Sequence, residues 1–314
     1  MVNMRKVGII GCGFVGSTSA FSLMQSELFS EMVLIDVDKR RAEGEAMDIS
    51  HGLPFAAPMK IYAGEYKDIS DCAILIITAG ANQKPNETRL DLVSKNIGIF
   101  KTIIPEIVKV NFEGLLLIVS NPVDILTYAA LKISGFPENR VIGSGTVLDT
   151  ARLKYILGEH LKVDNRSVHA FIIGEHGDSE LAAFSSANVS GLALNQFCEM
   201  RGYYEHEEAL EKIYEDVRDS AYQIIERKKA TYYGVAMAVR RICQCIVRNE
   251  HSILPVSSIT HGEYPGIDDI CLSLPAVVSS NGVEKIIPIS LNEKELGRLK
   301  ASAKALKEIA NQVL

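Results

Sequence analysis

At 314 residues the chain is long enough for two domains sharing an interface. It is 47% hydrophobic and 23% charged, the composition of a globular protein rather than a disordered one. Its 33 basic and 39 acidic side chains leave a net charge of −6, which removes electrostatic support for a nucleic-acid or anionic-membrane role; any bound anion must be held by a local cluster of cations.

The chain opens on MVNMRKVGII, whose apolar part is too short for a signal-peptide core, and no run approaches the ~18 apolar residues of a membrane span. A cytoplasmic location is therefore expected. The strand-like KVGIIG (6–11) leads into the helical pattern GFVGSTSAFSLMQS (13–26), with G-x-G-x-x-G between them at Gly11, Gly13 and Gly16. Such a turn lets backbone approach a pyrophosphate, while the helix N-terminus receives its charge. Twenty positions after Gly16, at the end of the strand-like MVLID (32–36), stands Asp36. A carboxylate there can accept from both hydroxyls of an adenosine ribose and repels a 2′-phosphate, favouring NAD over NADP.

A helical pattern follows at 38–50, then strand-like runs at 59–64 and 72–78. After CAILIIT comes the polar AGANQKPNETRLDL (79–92), at the carboxyl end of a central strand, where open α/β sheets bind ligands. Its composition also suits an ordinary loop, but Gln83 and Arg89 in one segment can bring an amide and a guanidinium over a substrate. A helical stretch at 89–110 precedes strand-like LLLIVS (115–120) and RVIG (140–143). These nearly continuous apolar runs alternating with helices predict an α/β fold, a doubly wound parallel Rossmann sheet, over residues 1–144.

From residue 145 to 314 a second, mixed α+β substrate domain is expected. In the helical LDTARLKYILGEHL, Asp149 and Arg152 share a face. They form either a structural ion pair or a clamp, Arg152 on a substrate carboxylate and Asp149 orienting a base. Lys154 lies about 200° around the helix from Arg152 and faces elsewhere. SVHAFIIG then runs into GEHGDSE, where His176 reads as a turn residue, a metal ligand or a proton donor. Two helical stretches around 205–248, hairpin-like segments at 252–260, 270–280 and 283–289, and an amphipathic stretch at 292–314 complete the chain. Cys243, Cys245 and His251 could ligate a metal, but they end a helical pattern, and buried reduced thiols are the better reading of all six cysteines. No metal is expected.

Together GCGFVG, GANQKPNETRLDL, SNPVDILT, GSGTVLDTARLK, GEHGDSE and KKATYYG resemble the lactate and malate dehydrogenase family over essentially the whole chain, most nearly its bacterial L-lactate dehydrogenases. The resemblance implies NAD-dependent interconversion of pyruvate and L-lactate, in glycolysis and fermentation. It makes His176 the acid/base, Asp149 its orienting carboxylate, Arg152 the carboxylate clamp and Arg89 the arginine that polarises the carbonyl. Asn121 and Thr231 match positions lining the nicotinamide and substrate pocket, and the family's Asn–Pro bond, here Asn121–Pro122, is cis. Gly11, Gly13, Val15, Gly16, Asp36, Arg41, Tyr66, Gly80 and Asn121 match cofactor contacts.

Gln83 stands where malate enzymes resemble this loop but carry an arginine for the second carboxylate of oxaloacetate, so pyruvate is expected. Asn86 replaces the family's usual glycine in the same loop. Lys154 and His169 match an arginine and a histidine that bind fructose 1,6-bisphosphate at a subunit interface, implying an allosteric site in a homotetramer, weakened by loss of the bidentate guanidinium. An NAD sensor without chemistry would have lost His176, Arg89 or Arg152. A hydrolase built on His176 and Asp149 would show a G-x-S-x-G elbow, which is absent.

Overall fold

The computed structural model describes residues 1–81, 89–204 and 206–313, with only the backbone of Arg89. The first half alternates β1 (Asn3–Ile10), α1 (Phe14–Met24), β2 (Glu31–Ile35), α2 (Lys39–His51), β3 (Lys60–Ala63), β4 (Cys72–Ile77), α3 (Arg89–Lys109), β5 (Leu115–Ile118), α4 (Val123–Ser134) and β6 (Val141–Gly143). Every residue of β4 and β5 is buried, because helices cover both faces and leave no solvent side to carry polar residues. The strands pair in parallel in the order β3-β2-β1-β4-β5-β6, the doubly wound arrangement expected. Strand order reverses between β1 and β4, so the crevice at their carboxyl ends holds both the glycine turn and the start of the polar segment after β4.

The second half comprises α5 (Val147–Leu161), β7 (Val168–His169), β8 (Ile172–Ile173), β9 (Leu181–Ala182), β10 (Asn188–Val189), β11 (Leu192–Ala193), α6 (Leu194–Met200), α7 (His206–Lys228), α8 (Tyr233–Val247), β12 (Ser252–Tyr264), β13 (Ile267–Ser279), β14 (Gly282–Ile286) and α9 (Glu293–Val313). A separate core packs Leu153, Leu157 and Leu161 of α5 against Leu210, Ile213 and Val217 of α7. SVHAFIIG does not form one strand: β7 joins β10 and β11, while β8 pairs with β9 and leaves residues 174–180 as the connecting tip.

The first two hairpin segments are longer than their sequence patterns, the third is shorter, and none stands apart. β12, β13 and β14 pair antiparallel, and β12 adds to β6 through Ser257 opposite Gly143. One sheet thus crosses the middle of the chain. Gly143 permits this, since a Cβ there would lie 2.4 Å from Thr127 Oγ1 and 2.7 Å from Ser257 Cβ. Among the described residues no helix is long and apolar enough to cross a membrane, and all six cysteines are buried and free.

Candidate active site

The glycine turn is shaped by crowding at two of its glycines and by openness at the third. Gly11 has φ +100°, and a Cβ would lie 2.6 Å from the Ala79 nitrogen; at Gly16 a Cβ would lie 1.8 Å from the Gly11 oxygen. Both are required by the protein's own packing. A Cβ on Gly13, by contrast, would meet nothing within 4 Å. Gly13 caps α1 with no side-chain hydrogen bond, leaving first-turn amides to face open space, a cradle suited to a pyrophosphate. Asp36, at the end of β2, accepts from Cys12 N–H at 2.6 Å and from Asp38 N–H at 2.9 Å, which fixes its carboxylate beside the turn. Cofactor contacts expected further out are Arg41, exposed in the first turn of α2, Tyr66, half-buried after β3, and Gly80, exposed after β4. The residues present fit a dinucleotide.

His176 rides on the β8–β9 tip, which is stitched to β13 by paired bonds between Gly174 and Ser273. Its Nδ1 lies 2.6 Å from Asp149 Oδ2, and its main-chain N–H donates to Asp124 Oδ2 at 2.7 Å. Asp149 is 2% exposed and accepts from Arg152 Nη1 at 2.8 Å through its other oxygen. The i,i+3 pair is therefore formed, and the same carboxylate also orients the ring. Burial disfavours the imidazolium, but the Asp149 charge and hydrogen bond more than offset it and raise His176 to about 9. Burial likewise opposes ionisation of Asp149, yet His176 and Arg152 hold its carboxyl below the usual range. Asp124, 1% exposed, also accepts from Ser273 Oγ at 2.9 Å; burial raises its carboxyl against these bonds.

Two cavities meet at Arg152 and His176. One, about 150 Å³, runs from Val15 at the glycine turn past Val119, Asn121 and Thr231 to Arg152 and His176. The other, about 490 Å³, adds Asp149, Glu180 and Arg218. Asn121 sits before α4, and its bond to Pro122 is cis. Its main-chain oxygen accepts from the buried Asn96 of α3 at 2.8 Å, and Asn96 also accepts from Ala81 N–H at 2.7 Å. That amide ties the first residues of the polar segment to the cavity. Gln83 and Asn86 lie outside the described residues, as does the Arg89 side chain.

Asn96, Asp124, Glu180 and Arg218 escaped the reading of the sequence. Glu180 places a carboxylate oxygen with ligand atoms of Asp149 and His176 all within 4.8 Å of one another. A cation there would meet the guanidiniums of Arg152 and Arg218, which favours a proton over a metal ion. Lys154 and His169 fall outside both cavities. Lys154 is half-buried on α5; His169 is exposed on β7, which packs against α5.

Residues 5–143 match the lactate/malate dehydrogenase NAD binding domain, and residues 146–314 the lactate/malate dehydrogenase alpha/beta C-terminal domain. The chain is 56% identical over 306 residues to an L-lactate dehydrogenase of Acetivibrio thermocellus, covering 98% of this chain and 96% of that one. It is 53% identical over 313 residues to L-lactate dehydrogenase 1 of Clostridium acetobutylicum, covering 100% of both. A crystal structure of the minor L-lactate dehydrogenase from Enterococcus mundtii, in a ligands-bound form, superposes with TM-score 0.96 at 43% identity, over 99% of this chain and 98% of that one. A lactate dehydrogenase enzyme from a Medee basin deep-sea metagenome library gives 0.95 at 47%, over 100% and 99%.

Proposed function

The chain belongs to the lactate/malate dehydrogenase family, and we propose that it interconverts pyruvate and L-lactate with NAD, using His176 as acid and base. The observation that carries this chemistry is the 2.6 Å contact of His176 Nδ1 with Asp149 in a cavity continuous with the glycine turn. A nicotinamide dinucleotide held at the glycine turn would supply the hydride-transfer chemistry at the 2-carbon. With Nδ1 turned to Asp149, Nε2 is the nitrogen that gives its proton to the growing alkoxide. Asp149 stabilises the imidazolium and fixes the ring. Arg152 keeps one arm on Asp149 and presents the rest of its fork to the substrate carboxylate, so carboxylate binding is coupled to the orientation of the acid.

Arg89, by family resemblance, adds positive charge where the oxyanion develops, a contribution made mainly in the transition state. Val15, Val119, Leu148 and Val235 give the cavity an apolar wall that limits water. By family resemblance, Gln83 stands where the malate enzymes carry an arginine; a neutral amide suits the methyl of pyruvate and leaves a second carboxylate without a cation. NADH oxidation with pyruvate, oxaloacetate and longer 2-keto acids measured in parallel tests the reading. Pyruvate should have the highest kcat/KM, and a preference for oxaloacetate would refute it.

Activation by fructose 1,6-bisphosphate is part of the same reading, with Lys154 and His169 holding the anion in a cytoplasmic homotetramer. Lys154 has no hydrogen-bond or ion-pair partner among the described residues, and burial pulls its ammonium below the ordinary value, so a bound phosphate would relieve it. Phe14, Tyr233 and Met237, 63%, 66% and 56% exposed, give α1 and α8 an apolar face suited to a subunit contact. Pyruvate saturation curves with and without the bisphosphate, run beside sedimentation, test this; superimposable curves reject it.

A further inference from the structure

Glu180 has no part in the chemistry above, yet it stands within it. It precedes β9, is 4% exposed and lines the cavity of Arg152, His176 and Arg218. Its Oε1 is closed off from solvent and has no hydrogen-bond partner among the described residues. The main chain of the tip is held there, the Tyr214 hydroxyl donating to the Glu180 main-chain oxygen at 2.6 Å. A buried carboxylate without donors is costly, and a second one already sits beside it in Asp149.

Resting on the reading of His176 as proton donor, we propose that Glu180 is a positioning residue for that histidine, a third acid whose charge state governs how firmly the ring keeps its proton. The groups facing it are Asp149 and Arg152 from α5, His176 from its own tip, and Tyr214 and Arg218 from α7; among these groups Asp124 of α4 faces His176 alone. Burial and the Asp149 charge push the Glu180 carboxyl up to about 8, against His176, Arg152 and Arg218. Near neutral pH it is therefore an uncharged acid that does not overload the Asp149–His176 pair. As pH rises it ionises within 4.8 Å of the pair and holds the imidazolium longer than Asp149 alone would.

The sign follows directly. Glu180→Gln keeps the shape and removes the ionisation, so His176 should deprotonate at lower pH. The alkaline fall of pyruvate reduction and the rise of lactate oxidation should both move to lower pH by roughly half to one unit, a three- to tenfold lower kcat/KM for pyruvate on that limb. A purely structural role would scale the rate at every pH and leave the limb in place.

An NMR titration of the ring nitrogens of His176, run without substrate, separates the two readings. If the His176 midpoint and the rate limb both move, Glu180 acts as proposed. If the midpoint stays fixed, the Glu180 proposal is overturned. If the midpoint moves and the limb does not, Glu180 tunes the ring but His176 is not the proton donor. Should E180Q fail to fold, the infrared carbonyl band of a protonated buried carboxyl is expected in the wild-type protein at neutral pH, lost as pH rises through about 8 and ahead of His176 deprotonation. Its absence at neutral pH would equally overturn the proposal.

Discussion

Replacing Asp149 by Asn keeps the volume of the side chain and removes the charge that holds the His176 proton. His176 is raised from its ordinary 6.5 to about 9, and burial, the largest influence on it, acts downward. Without Asp149 only Glu180 and Asp124 oppose burial, and the ring should fall back to about its ordinary 6.5. At about pH 8 the protonated fraction falls from roughly 90% to about 3%, a loss of about thirtyfold in pyruvate reduction from protonation alone. Loss of tautomer control adds to this; in serine-protease triads the corresponding exchange costs about 10⁴. The assay is kcat/KM for pyruvate across pH, with NADH affinity measured by fluorescence as a check on the cofactor site. D149N should bind NADH normally and lose its alkaline shoulder. A profile of unchanged shape would refute the idea that Asp149 sets the proton affinity. The same pair is a stability element. The His176 contribution is complete below 6.5 and lost as pH rises through about 9, whereas that of Asp149, whose carboxyl is lowered from 3.8, is lost on acidification. Between those limits D149N should unfold about 3–5 kcal/mol more easily, the cost of breaking a buried pair.

The glycine turn offers a paired test. Gly13→Ala should leave Tm unchanged and weaken NADH binding, because its methyl meets only the open cradle, whereas Gly16→Ala collides with the Gly11 oxygen and should cost about 1–3 kcal/mol of stability; equal effects in thermal melts and NADH titrations would contradict this. Gln83→Arg should move the ratio of kcat/KM for oxaloacetate over pyruvate upward by roughly 10²-fold or more, since the second carboxylate gains a cation. Comparable ratios for the two proteins would defeat the specificity reading. Lys154→Ala removes a half-buried cation that has no partner among the described residues, so stability should change by less than about 1 kcal/mol while any response of the pyruvate curve to the bisphosphate disappears.

What could be read from the sequence is what local spacing dictates. G-x-G-x-x-G followed by Asp36 fixes a strand–turn–helix and its neighbour, and Asp149 and Arg152 share a helical face wherever the helix lies. Strands such as CAILII announce their burial by having no polar side. The roles of Gln83 and Arg89 came from family resemblance, not from spacing. Asp124 reads locally as an acid in a helix's first turn, and only the arrival of His176 and Ser273, 52 and 149 residues along, makes it a buried acceptor. Glu180 looks like a charged residue ending a loop before LAAF; its seclusion is created by α5 and α7. The joining of β12 to β6 was invisible for the same reason, since a strand pattern names no partner.

The sheet that runs through Gly143 and Ser257 bears on how far this chain is modular. A cut near residue 144 would leave β6 as a bare edge and Asp124 as a buried acid stripped of both donors. Grafting the second half of a relative would have to restore that strand contact and the Asp124–His176 bond together. Shuffling halves between relatives should thus yield many chimeras that bind NADH and few that hold the histidine in place, and the residues to match first are at the seam rather than in the pocket.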